Sequence, residues 1–231
     1  MDRTLRFFPA GDQGILVELG DTIDPDIHRR VRGLFHLLEE NPVEGIREVV
    51  PAYRSILIFY DPLLISPEEV KRHLAHLHQS AEDQLPPTPR TVDIPVVYGG
   101  VFGPDLTFVA QYHHLEPEEV IRIHTAGEYL VYLVGFSPGF PFMGGLDSRI
   151  HTPRLETPRT RVPRGSVAIA NQQTGIYPVE SPGGWRIIGR TPVQLYRPRE
   201  NPPVLVRMGD RVRFRPISPA VYQRFLKEEE D

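Results

Sequence analysis

The sequence predicts a two-domain α+β chain: a small unit with helices on one face of a sheet, then a larger β-rich unit built as a barrel or a sandwich. Three observations carry this. Residues up to about 80 read strand, strand, helix, strand, strand, helix. A stiff segment follows, Leu85-Pro86-Pro87-Thr88-Pro89-Arg90, in which proline favours extended polyproline II. From Val92 onward, short apolar runs are broken repeatedly by Gly and Pro. The boundaries drawn from these signals are a domain over 1–84, a linker over 85–91 and a second domain over 92–231.

In the first domain, Arg3–Phe8 and Ile15–Leu19 read as strands around the turn residues Gly11-Asp12-Gln13-Gly14. Asp24-Pro25 opens a helix, with Asp24 as N-cap and Pro25 at the first helical position. Ile27, Val31, Leu34 and Leu38 recur at helical spacing until Asn41-Pro42 ends it. Ile46–Val50 and Ser55–Tyr60 are the next strands. Ser66 and Glu69 form a capping box, and the helix it starts turns Val70, Leu74 and Leu77 inward. In the second domain, Val92–Tyr98 reads as a strand, followed by short helices over about 104–112 and 116–125. Further strands are expected at Glu128–Val134, Ser166–Ala170, Gly175–Pro178, Arg186–Ile188, Val193–Tyr196, Val204–Val206 and Arg211–Phe214. The acidic tail Lys227–Asp231 is expected to fray.

The 231 residues contain no cysteine, which excludes disulfides, thiol nucleophiles and Cys-ligated metal centres. A net charge of −4 gives no general attraction for nucleic acid. No apolar run approaches a membrane span, and the N-terminus lacks a signal-peptide core, so a cytoplasmic location is expected. The 25 prolines are about twice the usual share and punctuate apolar runs, as rigid turns do in a folded protein.

Four segments concentrate residues suited to binding. In Gly135–Gly145, glycines alternate with Phe136, Phe140 and Phe142, around Pro138 and Gly139. The phenylalanines would make an apolar wall, and a turn with a hydrophobic plug explains the same residues. A Pro-Arg pair then recurs every five residues, at Arg154, Arg159 and Arg164. Proline stiffens the run and leaves guanidinium groups suited to a carboxylate or phosphate, unless they pair with local acids. The third segment runs from Ser166 through Asn171, Gln172 and Gln173 to Tyr177, and offers amide-recognising groups or simply a hairpin turn. The fourth, Ser181-Pro182-Gly183-Gly184-Trp185, places the single tryptophan after two glycines, as a pocket cap or a core anchor.

Absent motifs narrow the chemistry. There is no Walker A run, no G-x-S-x-G elbow and no H-E-x-x-H spacing, so no metal site is expected. His73, His76 and His78 read as a solvated helix flank, and His113-His114 as surface residues. His124 ends a helix just before the glycine-phenylalanine segment and is the candidate proton-transfer group, with a structural hydrogen bond as the competing role.

Taken in order, Gly135-Phe136-Ser137-Pro138-Gly139-Phe140-Pro141-Phe142-Met143-Gly144-Gly145, the Pro-Arg run through Arg164, Gly165–Pro178 and Ser181–Pro192 resemble the allophanate hydrolase subunit 1 family. The late Met208–Phe214 and His124-Thr125 fit as well, while His113-His114 and Asn171-Gln172 depart locally from the pattern. The resemblance covers essentially the whole chain. It implies a ferredoxin-like α/β sandwich followed by a cyclophilin-like β-barrel. It also implies the role of the B subunit in an ATP-dependent 5-oxoprolinase, which opens 5-oxo-L-proline to L-glutamate. The implied partners are a related cyclophilin-like subunit of the C type and a third subunit of the A type. ATP would be bound largely by these partners, and the isolated chain would be inactive. In that frame His124 is the catalytic candidate. The substrate-binding candidates are Phe136, Pro138, Gly139, Phe140, Phe142, Arg154, Arg159, Arg164, Ser166, Gln173, Tyr177, Gly183, Gly184 and Trp185. The same family also includes an inhibitor of a sporulation histidine kinase, and it resembles the carboxyltransferase half of urea carboxylase, which leaves regulatory and urea- or allophanate-processing roles as alternatives.

Overall fold

The computed structural model describes residues 5–81 and 88–228. The prolines at 86 and 87 and the end of the acidic tail lie outside the described residues. The chain divides into two compact units, Met1–Thr88 and Pro89–Asp231.

Unit 1 is a two-layer α/β sandwich. Its strands are β1 (Arg6–Pro9), β2 (Gly14–Glu18), β3 (Ile46–Pro51) and β4 (Ser55–Tyr60), and its helices are α1 (Pro25–Glu40) and α2 (Pro67–Ala81). The sheet order is β1-β2-β4-β3, with every neighbouring pair antiparallel. Ile15, Val17, Ile56 and Ile58 alternate onto one face and meet Val31, Leu34, Val70 and Leu74 of the helices. Both helix starts are capped as their residues dictate. The Asp24 carboxylate accepts from the Asp26 and Ile27 N–H groups at 2.8 and 3.1 Å. Ser66 N–H donates to the Glu69 carboxylate at 2.9 Å while Glu69 N–H donates to Ser66 Oγ at 3.3 Å, a reciprocal capping box. His73 departs from a fully solvated flank: its Nε2 is buried, and burial lowers its pKa.

Unit 2 is built on a closed seven-stranded barrel. Its elements are β5 (Thr91–Tyr98), α3 (Leu106–Tyr112), α4 (Pro117–Ala126), β6 (Tyr129–Val134), β7 (Pro141–Gly144), β8 (Arg159–Val162), β9 (Ser166–Ala170), β10 (Gln173–Ile176), β11 (Ser181–Gly183), β12 (Arg186–Arg190), β13 (Arg211–Pro216) and α5 (Pro219–Glu228). Around the barrel the order is β10-β7-β6-β13-β5-β12-β9, and pairing of β9 with β10 closes it. Closure leaves no open sheet edge in this ring. Strands β8 and β11 form a separate two-stranded ribbon. Asn171 and Gln172 make the two-residue turn between β9 and β10, with Asn171 in the left-handed region at φ +51°, so the polar third segment is first of all a hairpin.

Two of the strands expected in unit 2 do not form. Val193–Tyr196 and Val204–Val206 are loops joined by an isolated bridge, Tyr196 to Val204. Their apolarity reflects burial, Leu195 and Val206 each being 1% exposed. Alternation along β9 divides the packing. Val167 and Ile169 join the large core with α3 and α4, while Ala168 and Ala170 face a smaller aromatic cluster of Phe140, Tyr177 and Trp185.

Candidate functional site

That aromatic cluster floors a cavity of about 330 Å³, lined by Phe136, Phe140, Phe142, Arg154, Pro158, Tyr177, Pro182, Gly183, Gly184 and Trp185. Segments distant in sequence converge on it. The loop between β6 and β7 supplies Phe136 and Phe140, and β7 supplies Phe142. The connection to β8 supplies Arg154 and Pro158, and the turn between β11 and β12 supplies the Gly-Gly-Trp run.

The rings stand as a corner. Phe140 meets Tyr177 at 5.1 Å and Trp185 at 5.4 Å, both edge-on at 83° and 85°, and Phe142 meets Trp185 at 5.8 Å and 70°. Such T-shaped contacts place the positive edge of one ring on the negative face of the next. Over Trp185 lies the Arg154 guanidinium, 5.6 Å from the ring centroid, a cation–π contact. Arg154 has no carboxylate partner among the described residues. Burial raises the Tyr177 pKa, an effect opposed by a hydrogen bond from the Trp185 backbone N–H and by the charges of Arg154 and Arg159.

Phe136 guards the mouth. It is 72% exposed, its ring lies 5.8 Å edge-on to Phe140, and its backbone is left-handed at φ +69°. That conformation costs a bulky residue on the order of 1–2 kcal/mol. Three backbone hydrogen bonds hold the loop: Gly135 N–H to Phe140 O, Ser137 N–H to Gly135 O and Phe140 N–H to Ser137 O.

Gly183 is required by close approach: a Cβ there would overlap the Tyr177 hydroxyl and ring, whereas at Gly184 it would make ordinary contacts with Pro158 at 3.6 Å and the Leu155 carbonyl oxygen at 3.8 Å. Gly183→Ala is therefore expected to destabilise unit 2 by ~1–3 kcal/mol through overpacking, and Gly184→Ala by much less. Thermal unfolding of the two variants measures this, and equal losses would remove the Gly183–Tyr177 contact as the reason.

Of the residues that the sequence points to, the cavity brings together Phe136, Phe140, Phe142, Arg154, Tyr177, Gly183, Gly184 and Trp185. Pro138, Gly139, Arg159, Arg164, Ser166 and Gln173 do not line it. Pro138 and Gly139 shape the loop behind Phe136. Arg159 points to Asp105, Nη2 to Oδ1 at 2.8 Å. The Arg164 carbonyl accepts from Arg190 Nε at 2.8 Å. Ser166 is 1% exposed and its hydroxyl donates to Pro163 O at 2.7 Å. Gln173 sits on β10 opposite Ala170. Pro158 and Pro182 also line the cavity, and nothing local in the sequence distinguishes them from the other prolines.

His124 does not reach the cavity. It is fully buried on α4, stacked on Phe214 at 4.5 Å. Its Nδ1 lies 2.8 Å from Tyr98 OH and its Nε2 3.0 Å from Thr174 Oγ1, and that hydroxyl in turn donates to Ala168 O at 3.1 Å. Thr174 therefore accepts from Nε2–H and Tyr98 donates to Nδ1, so both ring nitrogens of a neutral imidazole are satisfied. Burial lowers its pKa to about 3. The geometry gives His124 the structural role, holding α4 to β5 and β10.

Among the described residues no group of three or more His, Asp or Glu side chains converges as a metal site. The cavity also does not fit a triphosphate: its lining carries one guanidinium against aromatic rings, prolines and glycines, without the several cations or aligned N–H groups that a polyphosphate needs. No helix of the described residues is long and apolar enough to cross a membrane.

The comparisons agree with this architecture. The chain is 45% identical over 228 residues to the B subunit of 5-oxoprolinase from Bacillus subtilis (strain 168), covering 94% of this chain and 95% of that one. The crystal structure of TTHA0988 superposes with a TM-score of 0.80 at 38% identity, covering 89% of this chain, which spans 40% of that one. The protein PH0987 of Pyrococcus horikoshii is 47% identical, with a TM-score of 0.57, over 94% of this chain and 100% of its own. A family model described as the carboxyltransferase domain, subdomain C and D, matches residues 5–206, and with a barrel of this form and full-length relatives at this identity, the chain belongs to that family.

Proposed function

We propose that this chain is the B subunit of an ATP-dependent 5-oxoprolinase, acting with partner subunits to open 5-oxo-L-proline to L-glutamate. The full-length relative in Bacillus subtilis is named as the B subunit of a 5-oxoprolinase. The observation that carries the reading is a formed cavity lined by five aromatic rings, two prolines, two glycines and one arginine: a surface that binds and orients, with the reacting groups supplied from elsewhere. In the overall reaction one water adds across the lactam C–N bond, hydroxyl to the carbonyl carbon and proton to the ring nitrogen, giving the free amine and carboxylate of glutamate, and a second water is consumed as ATP becomes ADP and phosphate. A lactam is resonance-stabilised, and ATP supplies the activation of its carbonyl. A lining with a single cation favours binding of that nucleotide by the partners, a related cyclophilin-like subunit of the C type and a third subunit of the A type. This chain contributes binding, orientation and exclusion of water.

The test is ATP-coupled glutamate release from 5-oxoproline, with this chain added to or left out of its co-expressed partners. Activity that appears only with the chain supports the assignment. Full activity without it, or capture of a histidine kinase in place of a barrel-bearing partner, overturns it.

A further inference from the structure

We propose that the aromatic cavity of unit 2 binds the cyclic acid itself. The five-membered lactam ring would sit in the corner of Phe140, Phe142 and Trp185, its carboxylate on Arg154, with Phe136 closing the mouth. This rests on, and deepens, the function proposed above.

Charge is the first argument. Three arginines of the same stretch are committed to acids, Arg149 to Asp147 at 2.7 Å, Arg159 to Asp105 at 2.8 Å and Arg161 to Glu180 at 2.7 Å, and Arg186 is engaged by the Pro153 carbonyl and the Phe108 ring. Arg154 instead lies on the face of Trp185 at the cavity, with no carboxylate of the described residues against it. A guanidinium shielded on one side by an indole pairs strongly and bidentately with a carboxylate. One such group selects a single negative charge, which favours a small monocarboxylate over a nucleotide.

Shape is the second. A cavity of about 330 Å³ stands at the lower end of small-molecule sites, which run from ~300 to 1,000 Å³. Rings meeting at 85° and 70° grip a small flat ring on two sides, where parallel walls would suit a long stacked base.

The third argument is the polar complement. A lactam presents one donor and one acceptor. Tyr177 lines the cavity with its hydroxyl beside Gly183, so that hydroxyl can donate to the lactam oxygen. Gly183 and Gly184 carry no side chain over the cavity, although Gly183 pairs with Arg159 in the ribbon and the Gly184 carbonyl already accepts from the Leu155 N–H at 2.7 Å.

Phe136 completes the arrangement. An aromatic side chain held at φ +69° and 72% exposed has no folding reason to be there, and its ring stands where it would cover a ligand packed on Phe140.

Trp185 is the single tryptophan of the chain, so its emission reports on the cavity directly. The full chain is titrated with 5-oxo-L-proline, with 2-pyrrolidone (the same ring without its carboxylate), with an N-acetylprolyl peptide and with ATP, alongside calorimetry. Saturable binding of 5-oxoproline is expected, at least tenfold weaker for 2-pyrrolidone. Arg154→Gln should weaken 5-oxoproline at least tenfold and Arg154→Lys less, while Arg161→Gln, whose partner is Glu180, should change nothing. Phe136→Gly should raise the unfolding temperature yet weaken the ligand. In the reconstituted complex Arg154→Gln should raise KM for 5-oxoproline more than it lowers kcat. Equal affinity for 2-pyrrolidone, an unaffected Arg154→Gln, preference for the prolyl peptide or ATP, or no binding by either method would overturn the proposal. If glutamate release depends on this chain while 5-oxoproline fails to bind it, only the cavity assignment falls. If 5-oxoproline binds but release does not need the chain, the proposed role in the oxoprolinase falls.

Discussion

Lowering the pH from 7 to 4 is expected to destabilise unit 2 by about 3 kcal/mol through His124 alone, at ~1.4 kcal/mol per unit of pKa difference. In the unfolded chain the imidazole takes a proton near its ordinary pKa of 6.5. In the folded barrel it resists until about 3, because burial disfavours the cation and both nitrogens already have partners. Between those values the unfolded state binds more protons than the folded state, so stability is full above the ordinary imidazole pKa and falls progressively toward the depressed one. His113 is shifted in the same direction, also mainly by burial, and adds a smaller contribution from a more exposed position. Asp147, held at about 2 by Arg149, acts only at still lower pH. Urea unfolding followed by Trp185 emission at pH 7 and pH 4 measures the slope. His124→Gln keeps hydrogen-bonding capacity but does not titrate, and should remove most of that slope. His124→Ala should cost ~3–5 kcal/mol at pH 7, from a cavity plus the two hydroxyls of Tyr98 and Thr174 left without their partner. A pH dependence equal in wild type and His124→Gln would show that this histidine does not govern the acid response.

The second large effect is expected at Asp105. It is 7% exposed and divides its two oxygens: Oδ1 accepts from Arg159 Nη2 at 2.8 Å and Oδ2 from the Ile187 N–H at 2.7 Å. Its own N–H donates to Ile187 O at 2.9 Å, so one residue clamps β12 and the β8 ribbon together. Asp105→Ala leaves a partly buried guanidinium and a buried backbone donor unpaired. The expected loss is ~3 kcal/mol, toward the lower end for broken buried pairs because Arg159 keeps some contact with water. Asp105→Asn, which retains an acceptor for Ile187, should lose less. The double variant Asp105→Ala, Arg159→Met should recover part of the loss, since the stranded charge is gone. Additive losses in the double variant would mean that the two side chains do not act as a pair.

Local patterns reveal much of unit 1 without the tertiary structure. The Asp24 and Ser66 caps and the helical spacing of Val31, Leu34, Val70 and Leu74 depend on neighbours within a few residues, and the structure places them as those spacings require. In unit 2, β7, β8 and β11 are only three or four residues long and rich in Pro, Gly or Arg, so propensity alone does not mark them, and α5 begins at a proline within a charged tail.

For the site, the sequence by itself determined the composition: a glycine-spaced set of phenylalanines, a stiff series of arginines and a lone tryptophan, enough to resemble one family and to anticipate eight of the ten residues that line the cavity. Only the tertiary structure decided which arginine is available. Arg159 looks equivalent to Arg154 along the chain, but its acidic partner Asp105 is brought close only by folding, as Glu180 is to Arg161. The same holds for His124, whose partners Tyr98 and Thr174 lie 26 and 50 residues away and turn an apparent acid–base group into a neutral core residue. Which residue types are present is a property of the chain, but whether a charge is paired or a ring is dry depends on contacts between segments far apart in it, and those exist only once the barrel has closed.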